Sequence, residues 1–96
     1  MSAGSPRELS EEQLQLSSEY QTASTEAGEI ASKKDLEWLA LRKTCDSDKE
    51  CDRRWGATPE GRRETYLRFY MKGLEKRMSA IKAHLRILDV EAHNTF

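Results

Sequence analysis

The chain has 96 residues, 34% of them charged and 36% hydrophobic, with 16 basic and 17 acidic side chains and a formal charge of −1. That length holds one domain at most, with a small core, and the near-neutral balance gives no global drive toward nucleic acid or anionic membrane. The longest unbroken apolar run, Trp38-Leu39-Ala40-Leu41, falls far short of the roughly 20 residues a membrane-spanning helix needs, so no membrane contact is expected. The charge is unevenly spread. Residues 1 to 48 hold 10 acidic and 5 basic side chains, residues 49 to 96 hold 7 and 11, so an acidic half is joined to a basic half.

The opening Met1-Ser2-Ala3-Gly4-Ser5-Pro6 has neither the basic nor the apolar part of a secretion signal. Residues 1 to 8 therefore read as a disordered tail, and residues 9 to 96 as a single all-helical domain in the cytoplasm. A helix start is expected at Ser10, which can cap the amide of Gln13 while Leu9 and Leu14 flank the box as a hydrophobic staple. Glu11 and Glu12 fall in the first turn, where the helix dipole favours negative charge. Leu16, Tyr20, Ala23, Ala27 and Ile30 then recur at spacings of 4, 3, 4 and 3, one helical stripe.

Residues 17 to 34 are rich in Ser, Thr, Ala and Gly, and the stripe shifts phase near residue 30, where Ala31, Trp38, Leu41 and Cys45 follow an offset line. The expectation is a helix of about 10 to 30 and a second of about 33 to 44, or one kinked helix, with Ser32 and Asp35 capping the restart. Leu36, Trp38, Leu39, Ala40 and Leu41 surround most of that second segment, which predicts burial on more than one side.

Residues 45 to 58 read as a polar connection containing one short helical turn, capped by Ser47 with Glu50, ending at Trp55 and followed by Gly56 in a left-handed position. Thr58, Pro59 and Glu60 then write a second helix start. The helix of about 59 to 93 carries the strongest pattern. Leu67, Met71, Leu74, Met78, Ile81, Leu85, Leu88 and Ala92 follow spacings of 4 and 3 without a polar interruption. Such a seam must be covered, first by the N-terminal helices folded back on it and alternatively by a second copy through Leu67 to Leu88. The expected fold is all-α, an antiparallel helical hairpin or small bundle with one long coiled-coil-like helix.

The chemistry-bearing residues exclude several functions. Cys45, Cys51, His84 and His93 nominally make a zinc set, but the cysteines lack knuckle spacing and the histidines lie about 180° apart on one helix, so no metal is expected. The run from Asp46 to Cys51 opens like a calcium loop, yet Cys51 stands where Gly is needed and Ala57 where a bidentate Glu is needed. No phosphate-cradling glycine loop, base-oriented nucleophile or other catalytic arrangement is present, and no cofactor is expected. The two cysteines read as free thiols in a reducing compartment.

What remains is surface chemistry. Arg53, Arg54, Trp55, Arg62, Arg63, Tyr66, Phe69 and Tyr70 interleave cations and aromatic rings, the usual makings of an interface hot spot. Phe69, Ile87 and Val90 lie off the seam and add apolar surface. The favoured function is a small non-catalytic module that binds a larger protein and modulates or inhibits it. In length and charged helical character the chain resembles small accessory proteins of phages and mobile elements, which implies action on host machinery, although no motif carries the likeness. The alternative is nucleic-acid binding by the ridge of Arg68, Lys72 and Lys76 at i, i+4 and i+8.

Overall fold

The computed structural model describes residues 5 to 94, which form three helices. They are α1 (Pro6–Arg42), α2 (Asp48–Ala57) and α3 (Pro59–Asn94), with no strand among the described residues. The fold is the all-α antiparallel hairpin that the long seam demands: α3 runs back along α1, and α2 fills the corner between them. The molecule measures 69 × 22 × 20 Å with a radius of gyration of 20.0 Å, against roughly 13 Å for a compact chain of this length. Its core is consequently a single row of side chains.

Leu67, Leu74 and Ile81, seven residues apart, are the buried centre of the α3 seam, while Met71, Met78, Leu85 and Leu88 are half-buried beside them. α1 supplies the cover. Leu9 and Ala23 are buried, and Leu16, Tyr20, Ala27, Ile30, Trp38 and Leu41 are half-buried on the same side. The seam that a second copy would have needed is thus occupied from within the chain.

The acidic half lies along the basic half and fixes the antiparallel register. Glu12 accepts from Arg77 at 2.7 and 2.9 Å, Glu26 from Arg63 at 2.9 Å, and Glu75 from the Tyr20 hydroxyl at 2.7 Å. Exposed pairs of this kind contribute more to alignment than to stability.

Three local expectations are corrected. The first helix starts at Ser5, not Ser10, because Ser5 and Glu8 form a complete capping box with Pro6 in the first turn; residues 5 to 8 are therefore structured, and residues 1 to 4 lie outside the described residues. α1 also runs unbroken through the Ser- and Gly-rich stretch. Lys34 takes the next position of the stripe after Ile30, reaching Glu64 at 3.2 Å and lying 5.7 Å from the centre of the Trp55 ring. A step of four residues to Trp38 then restores the apolar line, so a stutter in the seam replaces the expected restart. Leu36 and Leu39 are 76% and 55% exposed, because α2 covers only the side of α1 that carries Trp38 and Leu41.

α2 is capped by Ser47, whose hydroxyl accepts from the Glu50 amide at 3.1 Å, as expected, but it continues through Gly56 to Ala57. Thr58 serves both neighbours. Its hydroxyl donates to the Trp55 carbonyl at 2.6 Å and accepts from the Gly61 amide at 3.0 Å, ending α2 and starting α3 in one residue. The required glycine of this corner is Gly61. A Cβ there would stand 1.9 Å from the Trp55 carbonyl oxygen, whereas a Cβ on Gly28 meets nothing within 4 Å.

Gly61→Ala is accordingly expected to destabilise the protein by roughly 2 kcal/mol or more. Gly28→Ala should stabilise it by about 0.5 to 1 kcal/mol through helix propensity. Urea unfolding of the two variants checks this, and equal effects would contradict the corner geometry.

Candidate interaction surface

The residues singled out by composition separate into three structural groups. At the corner, Trp55 is only 5% exposed, and its indole N–H donates to Glu64 at 3.3 Å. Arg54 donates to the Thr44 carbonyl at 3.2 Å and to Cys45 Sγ at 3.5 Å. Both are engaged in joining α2 to its neighbours, Arg54 while remaining exposed, and Arg53 is exposed beside it.

The second group lies over the junction of α1 and α3. Arg63 grips Glu26 and stands 5.0 Å from the Tyr66 ring, Tyr66 stacks on Tyr70 at 5.8 Å, and the half-buried Tyr70 donates to Glu19 at 3.4 Å. With Gln15, Ser18 and Thr22 these residues line a groove of about 430 Å3. Within it, bonding to Arg63 holds the Glu26 carboxyl below the ordinary carboxylate range, and outside it bonding to Arg77 does the same for Glu12. Hydrogen bonding to Glu75 pushes the Tyr20 hydroxyl up, and burial followed by the Glu19 charge does the same for Tyr70.

The third group is the outer side of α3. Phe69 is 63% exposed with the Arg68 guanidinium 5.5 Å from its ring centre, and Arg62, Lys72 and Lys76 are exposed as well. Among the described residues Arg62, Arg68, Lys72, Lys76, Lys82 and Arg86 enter no ion pair. A shallow groove of about 360 Å3 beside them is lined by Ala27, Glu64, Arg68, Met71, Lys72 and Glu75.

This side of α3 holds a feature that apolar periodicity did not disclose. Tyr66, Phe69, Gly73, Lys76, Ala80, Ala83, Ile87 and Val90 follow spacings of 3, 4, 3, 4, 3, 4 and 3, and every one of them is exposed. Phe69 is two residues beyond Leu67, about 200° around the helix, so this line runs opposite the buried seam. Its large apolar side chains stand at the ends, and its middle holds the small Gly73, Ala80 and Ala83 with Lys76 among them. The signal was present as a second 4-3 register. A Gly/Lys/Ala centre concealed it from a search for large apolar residues.

No group of three or more His, Cys, Asp or Glu gathers to hold a metal ion among the described residues, and no helix there is long and apolar enough to cross a membrane. His84 and His93 stand apart, His93 bonding the Asp89 carbonyl at 2.9 Å. Compared with protein-family models, curated proteins and solved structures, the chain matches none of them.

These paired carboxyls and tyrosines along the α1–α3 contact set a pH dependence. Carboxyls whose folded pKa is depressed add stability that is full above about pH 4.5 and lost as pH falls through the lower folded value. The raised tyrosines add stability that is full below about pH 10.0 and lost as pH rises past it. A Tm profile should therefore be flat at neutral pH and fall at both ends, with Glu12→Gln and Glu26→Gln each shallowing the acid limb; an unchanged acid limb in both variants would contradict the pairing.

Proposed function

We propose that the protein is a small non-catalytic binding module of the cytoplasm that modulates or inhibits a larger protein by laying the outer side of α3 against a helix of that partner. The observation that carries this reading is the exposed 4-3 line from Tyr66 to Val90. A helix needs only one such seam to pack in a hairpin, and the buried one already serves that purpose. The second spans about 36 Å at 1.5 Å per residue, long enough to engage several turns of a partner helix. Phe69, Ile87 and Val90 supply knobs, and Arg68 beside Phe69 supplies the cation and aromatic combination common in binding hot spots. Tyr66 and Arg62 extend the surface toward the corner, with Arg53 beyond them on α2. Two buried free thiols suit a reducing compartment.

One observation favours a second reading, nucleic-acid binding: Arg68, Lys72 and Lys76 are exposed and without an ion-pair partner among the described residues. That mode relies on released counterions, so affinity would fall steeply with salt.

Affinity capture from lysate with and without nuclease identifies the bound molecule, and purified components then give the affinity. Phe69→Ala and Ala83→Glu should each weaken protein-partner binding tenfold or more, about 1.4 kcal/mol, with Tm essentially unchanged. Trp55→Ala should lower Tm instead, by an amount typical of a buried aromatic, roughly 3 to 5 kcal/mol of stability. Affinities within twofold of wild type for both outer-face variants would overturn the reading, and binding that vanishes with nuclease would replace it by the second.

A further inference from the structure

The corner between α1 and α2 contains a pair of groups that the docking surface does not use. Cys45 and Cys51 are free, and they are 8% and 0% exposed. Both thiols point at the last turn of α1, Cys45 Sγ donating to the Leu41 carbonyl at 3.3 Å and Cys51 Sγ to the Trp38 carbonyl at 3.5 Å. Carbonyls three residues apart on a helix are neighbours along one face, and the Cys51 thiol feels the Cys45 side chain directly, so the two sulfurs are neighbours there. The chain between them is held in place. Arg42 donates to the Cys45 carbonyl at 2.7 Å and to Asp48 at 2.7 Å, the Asp46 amide donates to Glu50 at 2.8 Å, and the Cys51 amide donates to the Ser47 carbonyl at 3.1 Å. Arg54 adds a hydrogen bond to Cys45 Sγ at 3.5 Å.

We propose that Cys45 and Cys51 form a redox-active dithiol that closes to an intramolecular disulfide by exchange with a small oxidised disulfide of the glutathione class, clamping α2 to the end of α1. Cys45, the more exposed, reacts first. Its thiolate attacks one sulfur of the oxidised disulfide, the S–S bond breaks, and one glutathione thiolate leaves and takes up a proton. Cys51, having given its proton to solvent, attacks Cys45 Sγ of the mixed disulfide and expels the second glutathione thiolate, which is protonated in turn. The protein loses two hydrogens, and one oxidised disulfide becomes two thiols. Burial pushes the Cys51 thiol up, reinforced by hydrogen bonding and charge from Cys45 and by Asp52 and opposed by Arg42, so Cys51 waits protonated until the corner opens. The clamp closes a loop of about seven residues, which stabilises the folded corner by restricting the unfolded chain.

The test is independent of any partner. The purified reduced protein is equilibrated in buffers of graded reduced to oxidised glutathione, free thiols are trapped by alkylation, and the products are cut by trypsin. Lys49 lies between the cysteines, so cleavage there leaves two peptides joined only in the oxidised form. The expected result is a single transition in which both thiols become unreactive together, the two peptides remain linked, the chain stays monomeric on a non-reducing gel and Tm rises. In Cys51→Ser the same buffers should instead accumulate glutathione on Cys45; Cys45→Ser should stay largely unmodified. Two alkylatable thiols in fully oxidised glutathione, mixed disulfides persisting on the wild type, or disulfide-linked dimers as the main product would each overturn the proposal, and the wild-type measurement decides even if a serine variant fails to fold.

Discussion

The seam on α3 is the constraint from which the rest of the structure follows. Leu67, Leu74 and Ile81 recur every seventh residue and cannot remain in water, and a chain of this size has only its own N-terminal half with which to cover them. Covering them requires a helix as long as α3, which is why α1 continues through a Gly- and Ser-rich stretch that local propensity alone would break. Tertiary packing overrides propensity there: Gly28 sits on the outside where it disturbs nothing, while Ala23 and Ala27 turn inward and bring the two backbones close. The thin α1 stripe is thus the complement of the bulky α3 one, small side chains receiving large ones.

The corner follows from the same constraint. Two helices of nearly equal length need a reversal at one end, and α2 provides it with three anchors: Trp55 beneath Lys34, the Trp38 indole donating to Asp52 at 2.9 Å, and the close pass of Gly61 at the Trp55 carbonyl. Glu64 accepts from both Lys34 and Trp55, joining all three helices through one carboxylate. That arrangement accounts for the position of a lysine in an otherwise apolar line.

Much of this was legible in the residues. The start of α3 at Thr58-Pro59, its seam, the all-helical class and the cap of α2 at Ser47 are written in local chemistry, and the structure has each of them. The start of α1 was misplaced because two capping boxes occur in tandem, and only the need to cover the far end of the seam selects the earlier one. The continuity of α1 was left open between one kinked helix and two, because Lys34 reads as polar; its ammonium reaches Glu64 and lies over the Trp55 ring. Trp55 and Arg54 read as contact residues because their types are common at interfaces; the burial of Trp55 and the bonding of both depend on α2 folding across the corner, which pairwise spacing does not convey. Phe69, Ile87 and Val90 were recognised as lying off the seam. Their common line emerged only when Gly73, Ala80 and Ala83 were counted as members of it.

On the proposed function, α3 has a side closed by the chain itself and an exposed side that docks a partner. Hydroxyl-radical footprinting, read residue by residue with and without the captured partner, tests that division most directly. Leu74 and Ile81 should be protected in both states, while Tyr66, Phe69 and Ile87 should be reactive in the free protein and protected only in the complex. Exposure of Leu74 and Ile81 on binding, or no change at the three outer residues, would contradict it.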